Sequence, residues 1–411
     1  MEETKYEKIK ETKEKKTNER SLIYYIIIGI PFIISFLIAL FLLLKIKPID
    51  LIKKKEDGGF IEKWYDYYGI KFSNLSYSIE KKIKNSFANR EEHYDSNFED
   101  INNNKDYNEI SNNIYDMYIP YSAIEKKEET NGIIFWIHGG FFLSGKKSDI
   151  ESFCIRYAKL GYITVNIELS LLKGKNQHNI FKLMDEIDSV ILISKQKLKE
   201  LGFTKLKGAI GGYSSGGYLS LLYYFLIGKK SAIEIRFIIN LAGFLSINPK
   251  NIYLSNNALN ENLNKDDINN LIKNKTLISF NYHIEWLKYM NGFIGSKYKE
   301  TNLNDMLIKN KINENNNQYK ELSKIINKTD ILSLINNDEI GILSLYGGMD
   351  KDIGVLPYFY LKDELNKKGI KNDFVYMKNS THTLYPENEE DLNKTRSFHT
   401  KILSYAKKYL R

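Results

Sequence analysis

Hydrophobic residues follow two different spacings after residue 112. Short apolar runs rich in Ile, Val and Phe alternate with longer segments in which apolar residues recur every three or four positions. The short runs predict strands at Ile114–Ile119, Gly132–Ile137, Ile163–Ile167, Lys207–Ile210, Ile235–Leu241, Ile340–Leu345 and Asp373–Met377. The longer segments predict helices at Asn179–Leu201, Tyr218–Ile227 and Leu392–Leu410. This alternation predicts an α/β domain over residues 112–411, with a mostly parallel sheet flanked by helices.

One long segment interrupts the alternation between two predicted strands. Residues 246–337 carry helical patterns such as Asp266–Lys273 and Tyr282–Tyr289. The segment is too long for an ordinary crossover between neighbouring strands. We therefore expect a helical cap inserted into the α/β domain.

The most apolar segment lies near the N-terminus. Residues 22–44 carry no charged side chain and are dominated by Ile, Leu and Phe. At 1.5 Å per residue, a helix of this length crosses the hydrocarbon core of a membrane. Lys45, Lys47 and Pro48 follow directly, without the small residues of a signal-peptide cleavage site. We expect one uncleaved membrane helix, and basic residues on both sides leave its orientation open.

Three less regular segments surround this helix. Residues 1–21 alternate Lys and Glu and predict a charged tail, and residues 45–59 predict a basic linker. Residues 60–111 are rich in aromatic residues, Lys and Asn, with weak helical spacing at Ile61–Tyr68 and Ile79–Phe87. We expect this extension to pack on the α/β domain.

Charge and cysteine content exclude some classes of protein. The net charge is +9 over 411 residues, but Lys residues are interleaved with Glu and Asp, which is typical of a solvated mixed-charge surface. No basic helix, zinc knuckle or RNA-binding aromatic motif is present, so no nucleic-acid partner is expected. The single cysteine, Cys154, cannot form an intrachain disulfide and is expected to be a small buried hydrophobic residue.

The strongest chemical motif is Gly212-Tyr213-Ser214-Ser215-Gly216, between a predicted strand and a predicted helix. This setting is that of a nucleophile elbow, in which a strained turn exposes the serine hydroxyl. The glycines Gly212 and Gly216 would permit the crowded turn. Ser214 is the predicted nucleophile and the Ser215 N–H a predicted oxyanion donor. The alternative is an ordinary glycine-rich turn between a strand and a helix, so the neighbouring motifs must decide.

A second motif lies upstream, where the predicted strand ending at Ile137 runs into His138-Gly139-Gly140-Phe141-Phe142. This run resembles the His-Gly-Gly-Gly loop of lipases and esterases, whose backbone N–H groups complete an oxyanion hole. Gly139, Gly140 and Phe141 are the predicted donors. His138 is expected to brace the loop rather than to exchange protons.

Two further polar residues follow the last predicted strands. Asp350 comes after the strand Ile340–Leu345 and is the predicted orienting acid, with Asp352 as the alternative. His382 comes after the strand Asp373–Met377 and is the predicted general base. The chain order Ser, Asp, His is the order expected for an α/β-hydrolase.

From about Ile114 to the C-terminus, these motifs resemble the α/β-hydrolase superfamily, in particular its hormone-sensitive-lipase-like or carboxylesterase branch (α/β-hydrolase fold-3). The resemblance implies hydrolysis of carboxylic esters through an acyl-enzyme, with a small-molecule or lipid-like ester as substrate and no cofactor or metal. Two positions depart from the branch. Phe141 stands where the branch has a third glycine, and Glu168-Leu169-Ser170-Leu171 stands where it usually has Tyr-Arg-Leu.

Two other functions fit the same fold. Serine peptidases and amidases share the elbow, and some α/β-hydrolase domains are silent binding modules. Retention of serine, acid and histidine together favours an enzyme over a binding module. No pattern in the chain indicates an oligomeric state.

Overall fold

The computed structural model describes residues 55–56, 59–64, 69–76, 114–172, 179–246, 307–308, 311–312, 315, 320, 324, 327–336, 338–354 and 356–411. These residues belong to one compact unit that spans residues 53–411. The predicted charged tail, the membrane helix at 22–44, most of the linker and most of the cap lie outside the described residues. Within the described ranges, no helix is long and apolar enough to cross a membrane.

A ten-stranded sheet forms the centre of the unit, with strand order β1-β2-β3-β4-β6-β5-β7-β8-β11-β12. Its strands are β1 Lys55–Glu56, β2 Gly59–Trp64, β3 Gly69–Ser76, β4 Ile114–Pro120, β5 Thr130–Ile137, β6 Ile163–Ile167, β7 Lys205–Tyr213, β8 Ile235–Leu241, β11 Gly341–Gly347 and β12 Asn372–Met377. The remaining two, β9 Leu307–Ile308 and β10 Lys311–Ile312, form a separate hairpin.

The strands from β5 to β12 in this sheet are parallel to one another, whereas β1 to β4 are antiparallel to their neighbours. All seven predicted strands are confirmed, with ends that differ by a few residues. Their continuous apolar runs arise because helices cover both faces of the parallel part.

Helices lie on both faces of the sheet. They are α1 Tyr121–Ile124, α2 Glu151–Lys159, α3 Ile180–Glu200, α4 Ser215–Leu226, α5 Ile331–Leu334, α6 Leu356–Lys367 and α7 Glu389–Tyr409. The three predicted helices correspond to α3, α4 and α7. Side chains of α3, α4 and α6 pack with one set of strand residues, which includes Phe135 and Ile210. Side chains of α2 and α7 pack with the alternate set, which includes Trp136 and Ala209, as the two-residue period of a strand requires.

The N-terminal extension differs from its prediction. Within the predicted helical spacing at Ile61–Tyr68, the structure describes residues 61–64, and these form part of strand β2, Gly59–Trp64, which pairs with β3. Strand β3 in turn pairs with β4, so these residues extend the sheet. Hydrogen bonding at a sheet edge overrides a weak spacing signal. The region around Ile79–Phe87 lies outside the described residues, and the boundaries of the extension stay a prediction.

The buried core includes the single cysteine. Cys154 is fully buried on α2 and makes no disulfide, as expected. The helical patterns predicted for the cap, Asp266–Lys273 and Tyr282–Tyr289, lie outside the described residues. The described part of that segment comprises Ser246, the β9–β10 hairpin, Asn315, Lys320, Lys324 and residues 327–336, with helix α5.

Candidate active site

Ser214 lies on a sharp turn between β7 and α4. Its backbone has φ 56° and ψ −120°, a conformation that L-residues rarely adopt. A Cβ atom at Gly212 would lie 2.3 Å from the carbonyl carbon of Gly216, and one at Gly216 would lie 2.2 Å from the Ile137 oxygen. Both positions therefore require glycine. The Ser214 N–H donates to the Leu241 oxygen at 2.8 Å, which ties the turn to β8.

The structure brings Ser214, His382 and Asp350 together. His382 Nε2 lies 2.9 Å from Ser214 Oγ, and His382 Nδ1 lies 2.8 Å from Asp350 Oδ2. Ser214 follows β7, Asp350 follows β11 and His382 follows β12, so all three lie beyond the carboxyl ends of parallel strands. Register aligns those ends, since Gly347 of β11 is opposite Met377 of β12.

Asp350, rather than Asp352, contacts the imidazole. Its other oxygen accepts hydrogen bonds from the N–H groups of Asp352 and Ile353, both at 2.9 Å. The Asp350 side chain is fully buried, whereas Asp352 is exposed. Backbone donors on one oxygen and His382 on the other hold the carboxylate in a single orientation.

The same residues form a group of potential metal ligands. One ligand atom from each of Asp350, Asp352 and His382 lies within 4.8 Å of the others. One ring nitrogen of His382 contacts Ser214, and the other contacts Asp350. These two contacts account for the proximity of His382 and Asp350, and Asp352 lies beside them.

The loop after β5 lies against the nucleophile. A Cβ atom at Gly139 would lie 3.1 Å from the Ser214 Cβ. Gly140 has φ 114°, and Phe141 and Phe142 have φ 53° and 67°. No described residue accepts a hydrogen bond from the N–H groups of Gly139, Gly140 or Ser215. These donors are available to an oxygen atom of a ligand beside Ser214.

His138 braces this loop from behind. Its Nδ1 lies 2.7 Å from the Gly139 carbonyl oxygen, and its Nε2 lies 3.4 Å from the Leu169 backbone nitrogen. An imidazole with the proton on Nδ1 donates to Gly139 and accepts from Leu169. These contacts leave His138 outside the Ser214–His382–Asp350 trio.

Glu186 holds the segment that His138 contacts, and sequence reasoning assigned it no role. It is fully buried on α3 and accepts hydrogen bonds from the Ser170 N–H at 2.9 Å and the Ser170 hydroxyl at 2.5 Å. An acidic residue on the apolar face of a predicted helix was the available signal. Ser170 lies in the segment that departs from the usual Tyr-Arg-Leu, and Glu186 satisfies its polar groups.

The Phe141 side chain packs against other aromatic rings. Its ring centroid lies 5.7 Å from that of Phe244, which in turn stacks on Tyr218 at 4.5 Å. Phe142 lies 5.8 Å from Phe244. The bulk that replaces a glycine at position 141 is thus accommodated in an aromatic cluster beside the loop.

The fold and the geometry of this site define an α/β-hydrolase-like protein. The BD-FAE family profile matches residues 115–337, which is more than half of the chain. The chain belongs to the BD-FAE family. The predicted resemblance to α/β-hydrolases is confirmed, and the family agrees with the predicted class of enzyme, a carboxylic ester hydrolase.

Several solved structures align with this chain at low sequence identity. A truncated carbohydrate esterase from gut microbiota is 15% identical, covers 82% of this chain and 98% of its own, and has a TM-score of 0.49. An esterase from Pyrobaculum calidifontis is 14% identical, with coverages of 71% and 80% and a TM-score of 0.47. Native esterase 2 from Thermogutta terrifontis is 13% identical, with coverages of 72% and 88% and a TM-score of 0.47. Comparison with curated protein sequences gives no match.

Proposed function

We propose that this protein is a serine hydrolase that cleaves carboxylic esters, with Ser214 as nucleophile, His382 as general base and Asp350 as orienting acid. The observation that carries the proposal is the continuous contact from the Ser214 hydroxyl through both ring nitrogens of His382 to a buried carboxylate. An isolated glycine-rich turn would require no such contact. Membership of the BD-FAE family supports the same reaction class.

The reaction begins with acyl transfer to the enzyme. His382 Nε2 takes the Ser214 proton while Oγ attacks the ester carbonyl carbon, and the C=O electron pair moves to the oxygen. Backbone N–H groups of Ser215 and of the loop Gly139, Gly140 and Phe141 stabilise that oxyanion. A single donor of this kind lowers the barrier by about 3 kcal/mol. Asp350 keeps the Nδ1 proton between itself and the imidazole and so fixes the productive tautomer.

Collapse of the tetrahedral intermediate completes the half-reaction. The C=O bond re-forms, the ester C–O bond breaks, and His382 gives its proton to the departing alkoxide, which leaves as an alcohol. Water then enters, loses a proton to His382 and attacks the carbonyl carbon of the acyl-enzyme. In the second collapse the bond from that carbon to Ser214 Oγ breaks, His382 returns its proton to Oγ, and the carboxylic acid leaves. The chain supplies every proton-transfer group that this sequence of steps uses.

Hydrolysis of p-nitrophenyl esters, from acetate to palmitate, tests the proposal. We expect the full-length protein in detergent to hydrolyse at least the short esters, and Ser214→Ala and His382→Ala to remove that activity in folded protein. Activity that survives either substitution contradicts the assignment. A folded wild-type protein that cleaves p-nitroanilide amides but no ester would indicate a peptidase or amidase instead.

We also propose that residues 22–44 anchor the protein to a membrane as one helix. The support is an uncharged apolar run of spanning length with basic residues on both sides. The full-length protein should remain in the membrane fraction after alkaline carbonate extraction, and a variant that lacks residues 1–45 should be released. Release of the full-length protein contradicts the anchor.

A further inference from the structure

His382 lies on a loop that regular secondary structure does not support. The loop connects β12 to α7, and its turn closes with a hydrogen bond from the Leu384 N–H to the Thr381 oxygen at 3.1 Å. Leu384 has φ 56°, a conformation disfavoured for a leucine. The base therefore needs contacts outside its own loop to hold its imidazole in line with Ser214.

Tyr213 supplies such a contact from the elbow. Its hydroxyl donates to the backbone oxygen of His382 at 2.8 Å, across 169 residues of chain. Its ring centroid lies 5.2 Å from that of the imidazole, with an angle of 36° between the planes. The tyrosine thus contacts both the backbone and the side chain of the base.

The backbone of Tyr213 is held in the central sheet. It is the last residue of β7, opposite Leu241 of β8, and the next residue in the chain is Ser214. Gly139 lies directly on it, because a Cβ at Gly139 would lie 2.9 Å from the Tyr213 carbonyl oxygen and 3.0 Å from its Cδ1. One residue therefore contacts the nucleophile turn, the loop of the oxyanion donors and the loop of the base.

The Tyr213 hydroxyl keeps its proton near neutral pH and can donate this hydrogen bond. Burial, together with the nearby charge of Asp350, raises the pKa of Tyr213 well above its usual value. Removing the hydroxyl would leave the His382 oxygen without this partner in a half-buried position. In active sites, a displacement of about 1 Å can cost about 100-fold in rate.

We propose that Tyr213 is a positioning residue, which sets the distance between His382 and Ser214 through its hydrogen bond to the His382 backbone. This role rests on the proposed function. It acts on the reacting atoms through His382, and Tyr213 itself transfers no proton.

The test is Tyr213→Phe, which removes the hydroxyl and keeps the ring. We expect kcat for a short p-nitrophenyl ester to fall about 10- to 100-fold with KM within about threefold, because substrate contacts are unchanged and base alignment is lost. The rate of labelling by a fluorophosphonate should fall by the same factor, since this reagent also needs the activated Ser214. Tyr213→Leu, which also removes the ring, should lose more.

Tyr405→Phe is the matched control. In the wild-type protein, the Tyr405 hydroxyl donates to Asp373 Oδ2 at 2.9 Å. Asp373 lies near the start of β12, at the opposite end of that strand from His382. The Tyr405→Phe variant also loses one tyrosine hydrogen bond, but it should keep the wild-type kcat and labelling rate.

Three results would overturn the proposal. The first is wild-type kcat in folded Tyr213→Phe, and the second is an equal loss in Tyr405→Phe, which would indicate a general effect of stability. The third is absence of both hydrolysis and labelling in the wild-type protein, and that result alone would contradict the proposed function as well.

Discussion

The parallel strands and the loops that follow their carboxyl ends differ in backbone conformation. Within the strands, side chains such as Ile134, Ile210 and Ile238 are fully buried in regular extended backbone. Just beyond the strand ends, the backbone becomes strained. Of the six described non-glycine residues with positive φ, five follow the ends of β5, β7, β8 and β12: Phe141, Phe142, Ser214, Ala242 and Leu384.

This contrast separates stability from chemistry. Each left-handed non-glycine residue costs about 1–2 kcal/mol, so five of them near one another would not persist without a well-packed sheet below. The packed strands hold the ends at fixed positions, and the loops beyond them bring Ser214, His382 and Asp350 into contact. Substitutions in the two regions should therefore have different consequences.

The largest effect is expected from Asp350→Asn at a strand end. An amide cannot hold the Nδ1–H tautomer of His382 as a carboxylate does, and kcat should fall about 10⁴-fold. Steady-state kinetics on a p-nitrophenyl ester measures the loss. Asp352→Asn is the matched control and should retain activity within about threefold, because His382 Nδ1 contacts Asp350 and the Asp352 side chain is exposed. Equal losses in both variants would contradict the assignment of the acid.

A smaller effect is expected from Gly140→Ala in the loop after β5. A Cβ at this position would lie 2.0 Å from the Ser144 oxygen, and φ is 114°. The loop must shift, and the loss of one aligned oxyanion donor should lower kcat about 10²- to 10³-fold. Circular dichroism should show the fold intact. Wild-type kcat in this variant would exclude the loop from the oxyanion site.

Substitutions within the strands should lower stability and leave catalysis unchanged. Ile238→Ala, in the centre of β8, should lower the free energy of unfolding by about 2–5 kcal/mol and leave kcat per folded molecule unchanged. Ile238→Val is the milder control, with an expected loss of about 1 kcal/mol. Urea denaturation measures both. A large fall in kcat of Ile238→Ala without loss of stability would contradict the different roles that we assign to the strands and to the loops beyond them.

The smallest effect concerns pH and a residue far from the site. Burial, with a contribution from Arg156, lowers the pKa of His399 from 6.5 to about 4. Between these pH values the His399 imidazole is neutral in the folded state but takes up a proton in the unfolded state. The free energy of unfolding therefore falls as pH falls from about 6.5 to about 4. After allowance for partial exposure, the loss is about 2 kcal/mol.

Urea denaturation at several pH values in the wild-type protein and in His399→Gln isolates this contribution. The variant lacks the titrating group, so its stability should depend less on pH across this interval. Identical pH dependence in both proteins would show that His399 is not held in its neutral form.

Strands and the site trio were predictable because their signals are local. Runs such as Ile163–Ile167 are apolar at every position, which a strand covered on both faces requires. Ser214, Asp350 and His382 each follow such a run, and parallel strands bring their carboxyl ends to one edge. Chain order and strand position were therefore sufficient to predict that these residues meet.

The contacts that sequence reasoning missed are tertiary. The bond from Tyr213 to His382 and that from Ser170 to Glu186 depend on how distant segments pack, and no spacing along the chain encodes them. The weak helical spacing at Ile61–Tyr68 did not predict strand β2, because the pairing of β2 with β3 depends on residues of another strand. Helix α2 was missed because it is short, with a buried face limited to Cys154, Tyr157 and Ala158.

Labelling of the full-length protein with a fluorophosphonate, followed by mass spectrometry of its peptides, tests the central claim most directly. We predict one adduct, on Ser214, which is absent in Ser214→Ala and forms much more slowly in His382→Ala. A folded wild-type protein that acquires no adduct, or acquires it on Ser215 instead, would contradict the claim that Ser214 is an activated nucleophile.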